Sequence, residues 1–422
     1  MTNFELSVRL FLQLAFILAS CRVIGGIARR LGQPQVVGEM IAGVVIGPSL
    51  FGLLLPDIHS YLFPKESMSI IYSFSQVGLT LYMFLVGAEF QVDLVKRRLR
   101  SAASVSIAGI LAPFTLGSLL ALTMVGNHSF FAQGVSKWEA ALFLGAAMSI
   151  TAFPMLARII YEQGLTGTSL GTLALAAGSM DDAAAWCILA IVMASSNKEP
   201  AIALMTIAGG AFYALIVLLV GKRLLSKLGS VVESDGGKVE RVLSFVLMLL
   251  MLGAWFTDTI GIYAVFGAFI LGVAMPRGRV ADDLQRKLEP LTTNFLLPLF
   301  FVYSGLNTRI GLLDSPSMWA VTLLVLLIAC LGKGVACWLA ARLNGEDNQE
   351  AMAIGALMNA RGLMELILLN IGLQHGVITQ TLFTIMVMMA VVTTLMASPL
   401  FEYVYYRRKA RKGKSEEVLL SD

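Results

Sequence analysis

The stretch AAGSMDDAAAW, at Ala176–Trp186, places two carboxylates side by side in the middle of an apolar segment. It is preceded by LGTLALAAGSM and followed by AAAWCILAIVMA, and apart from the two acids neither flank carries a charge. A run of about 20 apolar residues is long enough to cross a bilayer as a helix. The segment therefore predicts a membrane helix with two acids near its centre. Acids there are functional candidates, because placing a charge at that depth costs about 2.5–3.5 kcal/mol.

The composition of the whole chain is that of a membrane protein. Of its 422 residues, 57% are hydrophobic and 14% are charged, and the mean hydropathy is +0.79. A typical soluble domain is about 25% charged, so a soluble enzyme is excluded. A β-barrel would alternate apolar and polar residues in strands of about 10, which the sequence does not do. We predict an all-α membrane protein that is not an enzyme, with membrane lipid as a partner, no nucleic-acid partner and no cofactor.

The hydropathy pattern predicts about thirteen transmembrane helices, which we number as segments 1 to 13. The predicted ranges are 7–28, 34–54, 69–90, 102–125, 138–161, 169–195, 200–221, 241–256, 260–276, 291–308, 317–342, 349–373 and 378–404.

Lysine and arginine orient these segments, because cytoplasmic loops are enriched in them. Basic residues recur in alternate loops, as at 96–100 and 222–241, and again in the tail YYRRKARKGK. An odd number of segments is needed for this alternation. We therefore expect an outside N-terminus and a cytoplasmic C-terminus, in a membrane of the bacterial inner-membrane type. A membrane domain over 1–405 would be followed by a short basic cytoplasmic tail at 406–422.

The adjacent acids Asp181 and Asp182 lie in segment 6. Neighbours on a helix differ by about 100° in direction, so the two carboxylates cannot both face one partner. We expect one of them to pair with a base and the other to face a water-filled cavity.

Lys333, in the run LLIACLGKGVACWLAARL of segment 11, is too central to reach either membrane surface comfortably. A buried ammonium without a partner tends to lose its proton, whereas a nearby anion keeps it charged. The two acids of segment 6 are its obvious partners.

Two further charged sites allow more than one interpretation. Arg361 and Glu365 in segment 12 are four residues apart and share a helix face, so they form either an ion pair that braces a helix break or a part of the ion path. Glu39 in segment 2 lies near one end of a Gly- and Pro-rich helix. It either reaches the cytoplasmic membrane surface or supports the site.

Segments 5 and 12 both carry helix-breaking signals. In segment 5, Pro154 cannot donate a backbone hydrogen bond, and the hydroxyls of Ser149 and Thr151 can satisfy groups that a break leaves free. In segment 12 the break is predicted at Asn359–Gly362.

The two broken segments are seven spans apart, so they run in opposite directions. Interrupted helices at matching positions of two inverted halves are typical of secondary transporters. We predict inverted repeats over about 1–195 and 240–405, a connector helix at about 200–221, and broken helices that cross near the membrane midplane.

Five stretches of the sequence resemble one known family. They are GSMDDAAAW, SITAFPMLARI, GKGVACWLAARL, MNARGLMELILLNIG and PQVVGEMIAGVVIGPSLFG. Together they are similar to the monovalent cation:proton antiporter-2 branch of the cation/proton antiporters, which have the sodium/proton exchanger fold. The resemblance covers about residues 5–405, and it implies a homodimer.

The resemblance also implies a role for each central residue. The second acid of the motif, here Asp182, would bind the transported monovalent cation and exchange it for protons. Asp181 matches the electrogenic sodium/proton type, in which the lysine corresponding to Lys333 pairs with the first acid. Plant-type exchangers usually have Asn at that first position, and glutathione-gated potassium-efflux members have Gln. Na⁺ is therefore favoured, and K⁺ stays open.

The resulting hypothesis is secondary active exchange of Na⁺ or K⁺ for H⁺ by alternating access. A cation channel on the same helical scaffold is one alternative, since a channel needs no carboxylate that changes protonation in each cycle. A sodium-coupled solute symporter is another, although it would need a roomier polar cavity than these segments supply.

Overall fold

Within the residues described, the regular secondary structure is helical, apart from one isolated β-bridge between Phe131 and Ile378. The computed structural model describes residues 2–33, 35–89, 99–165, 168–196, 200–225, 239–260, 263–276 and 278–419.

The described residues contain eighteen α-helices, one 3₁₀ turn at Ile310–Leu312 and π turns at Val217–Gly221 and Thr292–Leu296. The helices are α1 (Asn3–Arg30), α2 (Gln35–Ile46), α3 (Phe51–Leu54), α4 (Pro56–Leu62), α5 (Lys65–Glu89), α6 (Leu99–Met124), α7 (Lys137–Ser149), α8 (Phe153–Glu162), α9 (Ser169–Ser196), α10 (Pro200–Ile216), α11 (Val239–Thr259), α12 (Ala264–Ala274), α13 (Arg279–Leu291), α14 (Leu297–Leu306), α15 (Pro316–Leu343), α16 (Asn348–Leu357), α17 (Leu363–Gln374) and α18 (Gln380–Leu419).

Segments 5 and 12 are discontinuous, as predicted. Segment 5 consists of α7 and α8, and Ile150–Ala152 between them is not helical. Segment 12 consists of α16 and α17, with the break at Met358–Gly362. Pro154 is the second residue of α8, a position where a missing N–H costs little because the first turn has no intrahelical acceptor for it. The proline thus starts a new helix after the break.

The predicted number of spans is not confirmed. In the part of the chain that the structure describes, nine helices are long and apolar enough to cross a membrane. The split of segments 5 and 12 accounts for part of the difference. Segment 9 is also short, since α12 has 11 residues. Thirteen therefore stays a prediction.

One prediction about the segment boundaries is wrong. Segment 2 is confirmed as a candidate span, at Val37–Leu54, but it is not one continuous helix: α2 ends at Ile46, because Pro48 cannot donate to the carbonyl four residues earlier, and α3 begins at Phe51. The residues between segments 9 and 10, at 277–290, were expected to form a loop, but from residue 279 onward they form α13. There Val280, Leu284 and Leu288 recur every four residues and are buried, so the helix packs one apolar face and exposes its charges.

Some predictions fall on residues outside those described. They are most of the basic loop at 222–241 and most of the basic cluster at 96–100.

The chain forms two compact units, and each draws on both halves of the sequence. The first unit comprises Met1–Gly26, Glu39–Phe90 and Leu189–Asn307. Its helices approach one another through glycines: a Cβ on Gly43 would meet the backbone of Phe301, and one on Gly305 would meet that of Gly43. Small residues at such crossings let membrane helices pack backbone to backbone.

The second unit comprises Ile27–Gly38, Gln91–Ile188 and Thr308–Asp422. It contains both discontinuous segments and most of α9, and α15 packs in it beside α6 and α16. Gly334 of α15 and Gly355 of α16 lie against each other, which brings the two helix backbones close together beside the second break. The predicted inverted repeats divide the chain differently from these units and stay a prediction.

The contact of Gly305 with Gly43 gives a test of packing in the first unit. Gly305→Ala should lower the melting temperature of the purified protein in detergent, because a methyl group there collides with backbone that cannot rotate away. Overpacking of this kind costs about 1–3 kcal/mol. Gly311→Ala is the matched control, since nothing lies within 4 Å of a Cβ at that position. Equal melting temperatures for the two variants would contradict the packing described.

Candidate functional site

The centre of the site is the C-terminal end of α7, where buried side chains satisfy the free carbonyls. The last four C=O groups of an α-helix have no intrahelical donor, and buried ones must find donors elsewhere. The Ser149 hydroxyl donates to Ala146 O at 2.9 Å. Arg361 donates from Nη1 to Ala147 O at 3.1 Å and from Nη2 to Met148 O at 2.6 Å.

The fourth carbonyl, that of Ser149, accepts a hydrogen bond from Lys333 Nζ. Both cationic side chains are buried, with 0% of their surface exposed. Two positive charges thus lie at the C-terminus of α7, where the helix dipole stabilises cations. Sequence reasoning found both cations, but it did not predict that they share one helix end.

Lys333 also binds the first of the two adjacent acids. Its Nζ lies 3.0 Å from Asp181 Oδ2, and the same carboxylate oxygen accepts a hydrogen bond from the Thr151 hydroxyl at 2.6 Å. Asp181 is 1% exposed. The expected ion pair between segments 6 and 11 is therefore present, and the break in segment 5 contributes its second hydrogen bond.

Asp182 differs from its neighbour in its surroundings. Its side chain is 0% exposed, yet among the residues that the structure describes neither of its carboxylate oxygens has a hydrogen-bond partner. A buried carboxylate is costly unless a proton, a cation or hydrogen-bond donors neutralise it. Its two oxygens are hard ligands of the kind that Na⁺ and K⁺ take, so Asp182 is the residue that could hold a monovalent cation.

The two breaks lie against each other. The N–H of Ala152 donates to Ala360 O at 3.0 Å. Thr151 Oγ1 lies 3.4 Å from Met358 O. The discontinuous segments therefore cross at their non-helical residues, as the sequence predicted.

Arg361 and Glu365 form an ion pair across the start of α17, with Nη1 and Oε2 3.5 Å apart and both side chains fully buried. Glu365 lies in the first turn of α17, where the helix dipole favours an anion. Because the guanidinium also holds two carbonyls of α7, the geometry is that of a brace between the two broken segments.

Asn359 satisfies the end of α16. Its Nδ2 lies 3.2 Å from Gly355 O and 3.3 Å from Cys330 O. The amide N–H groups of residues 358, 359 and 360 turn back to the other free carbonyls of this helix, at 2.9–3.3 Å. Gly362 follows as the N-cap of α17, and a Cβ there would meet Met155 and Ala152 of segment 5.

Glu39 belongs to the first compact unit, unlike the residues above. Its side chain is 2% exposed. Of the two interpretations given for Glu39, the one in which it reaches the membrane surface is therefore wrong. Its supporting role stays a prediction.

Thr394 of α18 is a contact that sequence reasoning missed. Its hydroxyl accepts from the backbone N–H of Arg361 at 3.1 Å and lies 2.7 Å from Arg361 O. The run VVTTLMAS shows hydroxyls in an apolar helix, but such hydroxyls usually bond their own helix, so the sequence alone does not single out this residue.

This arrangement of crossed broken helices around buried carboxylates defines a membrane ion transporter. Residues 15–403 match the family described as "Sodium/hydrogen exchanger, transmembrane". The chain therefore belongs to the sodium/hydrogen exchanger family of integral membrane antiporters.

Individual relatives agree with this assignment. The chain is 41% identical over 401 residues to the Na(+)/H(+) antiporter NhaS4 of Synechocystis sp., covering 93% of this chain and 98% of that protein. It is 31% identical to the K(+)/H(+) antiporter 1 of Saccharomyces cerevisiae, covering 98% of this chain and 49% of the yeast protein. Its fold is similar to that of the sodium proton antiporter MjNhaP1 of Methanocaldococcus jannaschii, with a TM-score of 0.64 at 16% identity, over 93% of this chain and 96% of the other.

The brace predicts a specific pattern of stability. Arg361→Leu should destabilise the protein by about 3–5 kcal/mol, because it leaves the Glu365 carboxylate buried and unpaired. Adding Glu365→Gln should recover part of this loss by removing the buried charge. Recovery should be incomplete, since the Ala147 and Met148 carbonyls still lack donors. Thermal unfolding of the three proteins measures both steps.

Arg286→Leu is the control for loss of an arginine, since its side chain is 79% exposed and its ion pair with Asp283 is 3.9 Å long. Exposed pairs contribute at most about 1 kcal/mol. If Arg361→Leu and Arg286→Leu had the same melting temperature, the brace would make no measurable contribution to stability.

Proposed function

We propose that this protein exchanges a monovalent cation for protons across a membrane by alternating access, with Asp182 as the shared site. The observation that carries the proposal is the contrast between the two acids. Asp181 is bonded by Thr151 and Lys333, whereas Asp182 is equally buried and its oxygens have no hydrogen-bond partner among the described residues. Such a carboxylate needs either a proton or a cation, and the two exclude each other.

The charges around the two breaks support the same proposal. Three buried carboxylates, those of Asp181, Asp182 and Glu365, lie in one compact unit with two buried cations, Lys333 and Arg361. When all five are ionised, one negative charge is left over. One monovalent cation or one proton balances it. Protonation of Asp182 then expels the cation and deprotonation admits it, so the two ions cross in opposite directions.

Asp181 and Lys333 are proposed to set the number of protons that are exchanged for each cation. A second proton can be carried only if the bond between Lys333 and Asp181 opens, either by protonation of the acid or through loss of a proton from the ammonium. Two protons for one cation would move net charge.

Na⁺ is the cation we favour, with K⁺ as the alternative. The cyanobacterial relative named above is a Na⁺/H⁺ antiporter by name, and it is similar to this chain over nearly its whole length. The yeast relative, named as a K⁺/H⁺ antiporter, supports the alternative.

The remaining features are proposed as follows. The protein lies in a bacterial-type inner membrane as a homodimer, with its N-terminus outside and the tail at 406–422 in the cytoplasm. The membrane domain covers 1–405, as inverted repeats at about 1–195 and 240–405 with a connector at about 200–221. It works as a transporter without catalysis of a chemical reaction, and it uses no cofactor and no nucleic acid.

Two other functions make different predictions in one experiment. A cation channel would carry Na⁺ or K⁺ into proteoliposomes without moving protons unless a protonophore is added. A sodium-coupled symporter would move neither the cation nor the proton outward in exchange for the other. An antiporter alkalinises or acidifies the lumen as soon as the cation is added, without a protonophore. A pH-sensitive dye in the lumen distinguishes the three.

Asp182→Asn tests the site. The variant should lose cation-driven proton movement in proteoliposomes with Na⁺, K⁺ or Li⁺, because an amide neither takes up a proton nor binds a cation as a carboxylate does. Asp258→Asn, which removes an exposed carboxylate at the end of α11, should retain wild-type rates. Full exchange by Asp182→Asn would refute the site assignment, and no exchange by the wild type would refute the function.

Asp181→Asn tests the stoichiometry. Removing this carboxylate leaves Lys333 without its acid and limits exchange to the one proton of Asp182, so transport should become electroneutral. Na⁺-driven proton movement should then no longer respond to a membrane potential imposed across the vesicles. A response equal to that of the wild type would mean that Asp181 does not contribute to the number of protons exchanged per cation.

A further inference from the structure

Thr394 holds the backbone of the residue that braces the two broken segments. Arg361 lies in the non-helical break between α16 and α17. Its N–H donates to Thr394 Oγ1 at 3.1 Å, and its carbonyl lies 2.7 Å from the same oxygen. Both side chains are buried, with 1% and 0% of their surfaces exposed. A single hydroxyl on a separate, continuous helix therefore accepts from the N–H of Arg361 and lies within hydrogen-bond distance of its carbonyl.

The hydroxyl of Thr394 has one proton and two acceptors. Ala390 O, one turn earlier in α18, also lies 2.7 Å from Thr394 Oγ1. A threonine in a membrane helix usually donates to such a carbonyl of its own helix. Thr394 can instead donate to Arg361 O, which lies outside a helix.

The neighbouring Thr393 shows the ordinary behaviour. It is also 1% exposed, and its hydroxyl lies 2.9 Å from Met389 O and 3.1 Å from Ala390 O, both in α18. The chain thus offers two adjacent, equally buried threonines, of which one bonds the break.

We propose that Thr394 is a positioning residue for cation exchange, acting through Arg361. This inference rests on the proposed exchange function for its transport readouts. The hydroxyl fixes the backbone from which the guanidinium reaches Ala147 O and Met148 O, at 3.1 and 2.6 Å. The next carbonyl of α7, that of Ser149, is the one that Lys333 binds.

The effect on the acids follows from the shared helix end. If the Arg361 backbone loosens, its guanidinium no longer holds the two carbonyls in place, and Lys333 becomes the main cation at the end of α7. Lys333 then spends less time on Asp181, so the ion pair beside Asp182 is no longer held in its original geometry. Small displacements of a site held by short polar contacts are enough to change its function.

Three variants test the proposal. Thr394→Val removes the hydroxyl at nearly constant volume, Thr394→Ser keeps it, and Thr393→Val is the matched control. Cation-driven proton exchange is measured from pH 6 to 9, as the apparent KM for Na⁺ and the pH of half-maximal rate, alongside amide hydrogen exchange of the peptide that contains Arg361. If the valine variant does not express, Thr394→Ala replaces it.

We expect Thr394→Val to speed amide exchange at Arg361, to raise the apparent KM severalfold and to shift the pH of half-maximal rate, because the two cations at the end of α7 change position. Loss of one hydrogen bond corresponds to a change of about two- to tenfold in KM. Thr394→Ser should restore both transport values, and Thr393→Val should match the wild type in all three measurements.

Other outcomes overturn the inference. Unchanged KM and pH midpoint in Thr394→Val, with or without faster amide exchange, would mean that the bond is structural only. The same is true if Thr393→Val causes equal transport shifts. A wild type that exchanges no ions would refute the proposed function. In that case, unchanged amide exchange in Thr394→Val would separately refute the claim that the Thr394 hydroxyl holds the backbone of Arg361.

Discussion

The four carbonyls at the C-terminus of α7 impose the constraint on which the rest of the site depends. Breaking a helix in a membrane frees carbonyls that lipid cannot satisfy. Here one is bound by the hydroxyl of Ser149 and the other three by the buried cations Arg361 and Lys333. Buried cations in turn need anions nearby, and each has one, Glu365 and Asp181. One broken helix therefore accounts for four of the buried charged residues in this compact unit: Arg361, Lys333, Glu365 and Asp181.

The second break is satisfied differently, and the difference decides where charge accumulates. The free carbonyls of α16 are bound by backbone N–H groups of the turn that follows and by the neutral amide of Asn359. No charge is needed there. The two crossed segments are thus unequal electrostatically: both cations bind the end of α7, and both have acids as partners. Asp182 is left as the acid without a cationic partner among the described residues. Under the proposed function, this inequality makes one carboxylate the exchange site.

Much of this could be predicted from the sequence, because charges and helix breakers in apolar segments are costly and therefore conspicuous. The acids of segment 6, Lys333 and both breaks are signals of that kind. The sequence could not show that the guanidinium of Arg361 reaches across to segment 5, since its visible partner, Glu365, is only four residues away. It could not separate Thr394 from Thr393, because the two are adjacent residues of the same type in one apolar helix. The helix α13 was missed because its charges outweigh its apolar stripe in hydropathy, although Val280, Leu284 and Leu288 repeat at helical spacing.

The position of Lys333 between two acceptors explains how a buried ion pair can take part in a transport cycle. Separating such a pair is ordinarily expensive, because each charge is left without a partner in a medium of low polarity. Here the ammonium binds the carbonyl of Ser149 as well as Asp181, so it keeps a hydrogen bond if the acid takes up a proton. Thr151 likewise offers Asp181 a hydroxyl that can rotate to serve the ionised or the protonated carboxyl group. Coupling between sites is reciprocal. A cation on Asp182 that weakens the bond between Lys333 and Asp181 must therefore itself be bound more weakly when that bond is strong.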